Sequence, residues 1–142
     1  MRHYIHDSYQ EGEVLSASPL QLICLLYRAA VESIAEARRC VAARDILGRA
    51  RAINKAYQIV AELMFSLDRH QEPELSRQLA ALYDYIQRLL IDANCRQVDG
   101  PLAEAQILLT TLQEAWENCE RPGRTQILGE RECEYAPVSC AG

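Results

Sequence analysis

Three histidines and six cysteines are the side chains of this sequence best suited to metal binding or nucleophilic chemistry. His3 and His6 lie near the N-terminus and His70 lies between two helical stretches, and no spacing implies a rigid partner for any of them. His3 and His6 could share a metal ion only if their segment became helical, and free chain ends rarely preorganise ligands. We therefore expect no metal site and no cofactor.

Catalytic signatures are missing from the sequence as well. It contains no glycine-rich phosphate loop, no HExxH, no GxSxG and no repeated Glu-x-x-His motif of the kind found in di-iron bundles. Carboxylates such as Glu36, Glu62 and Asp84 fall at polar helix positions, as a solvated face requires. These patterns predict a protein that is not an enzyme.

Composition limits the compartment and the classes of partner. The chain of 142 residues carries a net charge of −5, whereas nucleic-acid binders present basic surfaces to phosphates. Its first residues lack the apolar core of a secretory signal, and no stretch approaches the roughly 18 apolar residues that a membrane span needs. The cysteines form no CxxC pair, which favours reduced thiols. We expect one cytoplasmic domain, no nucleic-acid partner and no membrane insertion.

Helix start signals divide the chain into four helical stretches. Ser18 and Gln21 have the spacing of a capping box, and Asp45 is a good N-cap for a second helix. Pro73 and Pro101 suit the first turns of a third and a fourth helix, because a proline at that position loses no intrahelical hydrogen bond.

Each stretch carries apolar residues in alternating steps of three and four, the pattern of a helix with one face packed in a bundle. The four stripes are Ile23, Tyr27, Ala30, Ile34, Ala37 and Val41; Ile46, Ala50, Ile53, Tyr57, Val60, Met64 and Leu67; Leu75, Leu79, Leu82, Ile86, Leu89 and Ala93; and Leu102, Ala105, Leu109, Leu112 and Trp116. No alternating pattern typical of strands competes with them. We therefore predict an all-α fold, an antiparallel four-helix bundle.

Two terminal segments flank the predicted bundle domain of residues 18–119. We interpret residues 1–17 as a mobile N-terminal arm in which Tyr4, Ile5 and Tyr9 are spaced apolar anchors. Residues 120–142 are rich in glycine, proline and charge, a composition typical of a flexible, largely disordered tail.

A second apolar stripe accompanies the main one in the second helix, at Ala52, Ala56, Ile59 and Leu63. One interpretation is that it is core, because each helix of a bundle touches two neighbours. The other is that it lines a hydrophobic groove for a partner helix. Tyr83 fits either interpretation, whereas Tyr85 lies off the main stripe of its helix and is expected to be exposed.

Several short motifs follow one another with consistent loop lengths. In chain order they are Val14-Leu15-Ser16-Ala17-Ser18-Pro19 with Leu22-Ile23 and Leu26-Tyr27; Asn54-Lys55-Ala56 with Ile59-Val60, Glu62-Leu63 and Ser66-Leu67-Asp68; Leu82-Tyr83-Asp84-Tyr85 with Arg88-Leu89 and Ala93-Asn94; and Leu108-Leu109 with Trp116. Together they resemble the flagellin-specific secretion chaperones of the FliS family. One departure is Arg28-Ala29, where the family usually has Asp-Gly, and it puts in doubt any partner contact that needs the acidic residue.

The resemblance implies a chaperone that binds the disordered C-terminal segment of flagellin, prevents premature polymerisation in the cytosol and delivers the subunit to the flagellar type III export gate. It also implies that the N-terminal arm covers part of the binding surface when no client is present. The expected partner-binding residues are Tyr4, Ile5, Tyr9, Asn54, Lys55, Ile59, Leu63, Tyr83, Tyr85 and Arg88. The free protein is expected to be a monomer or a weak homodimer.

The bundle admits another function of a different class. A non-catalytic adaptor could use a similar surface to bind a partner helix in signalling or in another secretion pathway. A bundle that holds a metal or cofactor is disfavoured, because the apolar stripes contain no histidine and no inward glutamate.

Overall fold

The computed structural model describes residues 18–68 and 70–120, and the regular structure of this part of the chain consists of four α-helices. They are α1 (Pro19–Ala43), α2 (Ile46–Phe65), α3 (Pro73–Arg96) and α4 (Gly100–Glu120). The all-α prediction is thereby confirmed. The expectations of a mobile arm at residues 1–17 and of a disordered tail beyond α4 lie outside the described residues.

Capping hydrogen bonds confirm the predicted starts of α1 and α2. The Gln21 N–H donates to Ser18 Oγ at 3.2 Å, and the Ser18 N–H donates to Gln21 Oε1 at 2.9 Å, which completes the capping box. At the start of α2, Asp45 Oδ1 accepts the Gly48 N–H at 3.0 Å. Arg44 has a φ of 59°, the left-handed C-cap conformation that ends a helix abruptly. The turn between α1 and α2 is therefore very short and makes the two helices antiparallel neighbours.

The four helices form an antiparallel bundle, as predicted. Helix α1 packs against α2 and α4, and α3 packs against the same two helices, so that α1 and α3 are diagonal to each other. The large side chains without exposed surface that fill the centre include Tyr27, Ile34, Ile59, Val60, Leu63, Ile86, Leu90, Leu102 and Leu109.

The second apolar stripe of α2 belongs to this core. Ala56, Ile59 and Leu63 have no exposed surface, and Ala52 is buried as well. Because α2 packs against both α1 and α3, it needs two buried faces rather than one. The core interpretation of this stripe is confirmed.

Two residues of the predicted stripes are nevertheless exposed. Ile46 is 61% exposed and Leu75 is 46% exposed, and each is the first member of its stripe. A side chain in the first turn of a helix has packing partners toward one end only, since the stripe begins there. Periodicity identifies the buried face of a helix correctly, but it does not show where along the helix burial begins.

Polar side chains join the helices at the end of the bundle where α1 and α3 terminate. The Arg38 guanidinium donates to both carboxylate oxygens of Asp99, at 2.8 and 2.9 Å, and to Gln106 Oε1 at 2.7 Å. Arg49 is buried, and its Nε donates to Asn94 Oδ1 at 3.0 Å. These contacts tie α1 to α4 and α2 to α3 with planar, multidentate geometry that a lysine could not reproduce.

At the opposite end, three aromatic side chains share a hydrogen-bonded network inside the core. Tyr27 of α1 and Tyr83 of α3 join their hydroxyl groups across the bundle diagonal, and the Trp116 indole N–H of α4 donates to Tyr27 Oη at 3.1 Å. The Tyr27 ring lies 6.4 Å from each of the other two ring centroids. Both tyrosine hydroxyls of this network therefore have a partner, as burial of polar groups requires.

Gly48→Ala is expected to destabilise the bundle, although alanine is the better helix former. The added Cβ would lie 2.4 Å from Asp45 Oδ2 and 2.8 Å from Cys40 Sγ. Displacing Asp45 breaks the cap of α2, a loss of about 0.5–2 kcal/mol that urea denaturation can measure. Gly100→Ala is the matched control, because no atom lies within 4 Å of its added Cβ, and it should not lower stability. Equal losses for the two variants would contradict the steric explanation.

Tyr27→Phe should lower the free energy of unfolding by about 1–3 kcal/mol, because it leaves both the Tyr83 hydroxyl and the Trp116 N–H without their partner. Tyr83→Phe should cost less, since the Tyr27 hydroxyl still accepts from Trp116. Urea denaturation of the two variants tests this order. A larger loss for Tyr83→Phe would show that Tyr27 is not the centre of the network.

Alkaline titration should show that Tyr27 and Tyr83 ionise at higher pH than a free tyrosine does. Burial raises the pKa of Tyr27 and of Tyr83 above the ordinary value of 10.0. For each of these tyrosines the pKa is higher in the folded chain than in the unfolded chain. The contribution of the buried neutral side chain to folding stability is therefore complete below pH 10 and is lost as the pH rises further. Phenolate absorbance should show at least two fewer ionised tyrosines in the folded chain than in urea at the same pH. Full ionisation near pH 10 in a chain still folded by circular dichroism would contradict the burial argument.

Candidate functional site

A cavity of about 190 Å³ opens at the end of the bundle where α2 and α4 finish and α1 and α3 begin. We call it the Trp116 cavity. Its apolar lining consists of Ile23, Leu67, Leu75, Leu79, Tyr83 and Trp116. Its polar lining consists of Ser66, Asp68, Gln71, Glu72 and Ser76. Sites for small molecules usually measure about 300–1,000 Å³, so this cavity is scaled for protein side chains.

The connection between α2 and α3 builds one wall of the Trp116 cavity. Asp68 Oδ1 accepts the N–H groups of His70 and Gln71, at 3.1 and 3.3 Å, which closes a tight turn. The Ser76 hydroxyl donates back to the Asp68 carbonyl at 2.9 Å, and the Ser66 hydroxyl donates to the Leu63 carbonyl at 2.7 Å. The wall is therefore fixed by side-chain to backbone hydrogen bonds rather than by a regular element.

The rim of the Trp116 cavity is acidic. Asp68 and Glu72 both line it, and both residues are exposed. Glu72 stands at the N-cap position of α3, yet its side chain makes no capping hydrogen bond. Its carboxylate thus remains available to a group outside the helix. Below the rim, Tyr83 stays neutral because burial raises its pKa.

A second, wider cleft of about 460 Å³ lies near the start of α4 and contains Arg38, Asp99 and Gln106. Hydrogen bonding to Asp99 raises the pKa of Arg38, whose guanidinium is already engaged by the two neighbours described above. The cleft is open and shallow, and its central charge serves the packing of α1 on α4. We assign it a structural role.

Large apolar side chains are exposed on all four helices. The most exposed is Phe65 at the end of α2, with 81% of its surface accessible, followed by Ile107 of α4 with 66%. The full set consists of Leu22, Ile46, Leu47, Phe65, Leu75, Tyr85, Ile91 and Ile107. They are distributed over all four helices and are not confined to a single one.

The partner-binding residues expected from the sequence separate into buried and exposed groups. Ile59 and Leu63 lie in the core and have no exposed surface, so in this conformation they offer none to a partner. Tyr83 is also buried, but its side chain lines the Trp116 cavity. Asn54 is exposed and Lys55 is half-buried, and both lie on α2. Their role in binding stays a prediction. Tyr4, Ile5 and Tyr9 lie outside the described residues.

Tyr85 and Arg88 are exposed on α3, but each already has a partner. The Tyr85 hydroxyl donates to Glu104 Oε2 of α4, and this hydrogen bond raises the pKa of Tyr85. Arg88 lies 2.9 Å from Asp84 one turn earlier on the same helix. Gln87, by contrast, donates to the Tyr57 carbonyl of α2 at 3.3 Å. Tyr85 therefore faces α4, and the expected residues are not gathered on one face.

Three exposed apolar residues are missing from the expected partner-binding residues, although the sequence pattern distinguishes them. Leu47 and Phe65 fall off both apolar stripes of α2, and Ile107 falls off the stripe of α4. An apolar residue that no stripe accounts for has no helix neighbour to cover it. All three are more than half exposed in the bundle.

Metal binding and membrane insertion find no support in the described residues. Within residues 18–68 and 70–120, no three His, Cys, Asp or Glu side chains are grouped so that they could hold a metal ion. None of the described helices is long and apolar enough to cross a membrane.

Arg28 stands where the FliS family usually has aspartate. Its guanidinium lies 3.5 Å from the Glu117 carboxylate and so adds a contact between α1 and α4.

The family model and the individual relatives that match this chain all belong to one family. The model of the family described as flagellar protein FliS matches residues 1–122. The flagellar secretion chaperone FliS of Salmonella typhimurium is 36% identical over 107 residues, which are 75% of this chain and 79% of the relative. The protein of the same name from Bacillus subtilis is 33% identical over 111 residues, which are 78% of this chain and 82% of the relative.

The matched region contains the whole helical bundle and every motif quoted above. The relatives are named as chaperones, and the family is not catalytic. The chain belongs to the FliS family of flagellar secretion chaperones.

Proposed function

We propose that this protein is a flagellar export chaperone that binds the disordered C-terminal segment of flagellin in the cytoplasm. It prevents premature polymerisation of the subunit and delivers it to the type III export apparatus. The observation that carries the proposal is the family match across the whole bundle. The resemblance of the motifs in α1 to α4 supports the same client.

The distribution of exposed apolar side chains supports an extended client. A folded partner with one flat face would need a single contiguous patch, whereas the exposed residues occur on all four helices. A disordered segment can contact residues on several helices as it wraps the bundle, and it orders as it binds. Phe65, Ile107, Ile46 and Leu47 are the first candidates for contact, because each is at least 60% exposed.

Exposed motif residues supply candidate polar contacts. Asn54 has an exposed position on α2, and Tyr85 and Arg88 are exposed on α3. Their local partners, Glu104 and Asp84, are themselves at the surface, so exchange for a client group costs little. Ile59 and Leu63 remain proposed contacts only for a client that displaces part of the bundle, because their side chains are buried. Tyr83 remains a proposed contact for a client group that enters the Trp116 cavity.

Binding would couple to folding of the client. At about 25 cal/mol per Å², burial of about 1,000 Å² of apolar surface contributes on the order of 25 kcal/mol before costs. Ordering of the client offsets most of this gain, so moderate affinity and reversible release accompany a large interface. Such reversibility suits a chaperone that must hand its client to an export gate.

Calorimetry should show that the full chain binds the C-terminal segment of its own organism's flagellin one to one, with a negative heat-capacity change. Flagellin that lacks this segment is the control and should give no heat. The chaperone should also suppress flagellin polymerisation, followed by light scattering, when present in equal amount. No binding at high micromolar concentrations by folded protein would contradict the proposed client.

The same titration can locate the contact surface. Phe65→Ser should weaken binding about 5- to 30-fold, since removal of an apolar anchor costs about 1–2 kcal/mol. The fold should be unaffected, because the Phe65 side chain is largely exposed. Arg77→Ala is a matched surface control, as Arg77 is exposed and pairs with Glu74 of the same helix. Equal effects of the two variants would exclude Phe65 from the interface.

A further inference from the structure

The Trp116 cavity is an apolar site of side-chain size with an acidic rim, and the described residues leave it open. We infer that residues 121–128 of the same chain dock into it. Ile127 and Leu128 occupy the apolar floor beside Trp116, and Arg124 pairs with Glu72 at the rim. This intramolecular contact goes beyond the proposed function, because it needs no flagellin.

Chain geometry brings this segment to the cavity. Helix α4 ends at Glu120, about one turn beyond Trp116, so the chain leaves the bundle beside the cavity wall. The next residues include Pro122-Gly123, a strong turn signal, which favours reversal of the chain toward the bundle. Ile127 is seven residue steps beyond Glu120, and an extended chain spans about 23–25 Å over that distance, which is ample for a return to Trp116.

Charge distinguishes this segment from the other terminus. Residues 121–129 contain two basic residues, Arg121 and Arg124, and no acidic residue, so they complement a rim formed by Asp68 and Glu72. Residues 1–17 precede α1, which begins at this end of the bundle. They contain one arginine and three carboxylates, at Asp7, Glu11 and Glu13, and would be repelled by the same rim.

The apolar part of the segment fits the floor. Ile127 and Leu128 are the first large aliphatic residues after α4. The cavity presents Leu75, Leu79 and Trp116 to them, and Leu75 is still 46% exposed without an occupant. Covering these side chains removes apolar surface from water, which favours docking. The family match ends at residue 122, so the docking residues are a feature of this chain rather than of the matched region.

Trp116 provides a direct readout, because it is the only tryptophan in the chain and lines the cavity. The full chain carrying Ile127→Ser and Leu128→Ser should show red-shifted emission and about twofold stronger acrylamide quenching than the parent. Val138→Ser, ten residues further along, is the matched control and should change neither quantity. Unchanged emission and quenching in the double variant, with the bundle intact by circular dichroism, would overturn the inference.

A charge exchange tests the rim contact separately. Arg124→Glu should raise quenching of Trp116, and combining it with Glu72→Arg should restore the parent value, because the pair is rebuilt with reversed signs. Additive effects without rescue would overturn the assigned pair. If Ile5→Ser shifts the emission while the double variant does not, the N-terminal segment is the occupant and the inference is wrong. All these measurements use the chain without flagellin, so failure to bind flagellin would leave them interpretable.

Discussion

The hydroxyl group of Tyr27 holds three helices in a single register. It bonds to Tyr83 across the bundle diagonal and accepts the indole N–H of Trp116. The apolar stripes alone leave register weakly defined, because a stripe looks similar after each turn of helix. A shift of α3 or α4 by one turn would strand buried polar groups, at a cost of about 1–3 kcal/mol each. The position of Trp116, and with it the cavity that bears its name, depends on this network.

Local features of the bundle were predictable because they depend on neighbouring residues only. Ser18, Gln21 and Asp45 made the predicted capping bonds, since a cap involves atoms within three residues of each other. Contacts distant in sequence were not predictable in this way. Tyr27 and Tyr83 are 56 residues apart, and periodicity places each on a buried face without showing that they meet.

The candidate site was less predictable than the fold, because motif residues serve two purposes. Asp68 closes the turn between α2 and α3, and Asn94 receives the buried Arg49, so both are explained by folding. Asn54 and Arg88 are exposed and contribute little to packing. A resemblance built from both kinds of residue identifies the family. Residues needed for folding are distinguished from exposed residues only by their burial, and burial depends on the two helices that pack against each helix.

If residues 121–128 occupy the Trp116 cavity, they lower the apparent affinity for a client that uses the cavity and leave the rest of the bundle surface accessible. If the cavity is free in a fraction f of the molecules, the apparent dissociation constant of any client group that uses the cavity is multiplied by 1/f. A client that also contacts Phe65 or Ile107 keeps those contacts, because both residues lie outside the cavity lining. The tethered segment acts at an effective concentration set by its short linker, so even a weak contact competes. Exposed apolar residues on all four helices, together with a cavity for which residues 121–128 would compete, favour a client that binds as a long segment and releases stepwise.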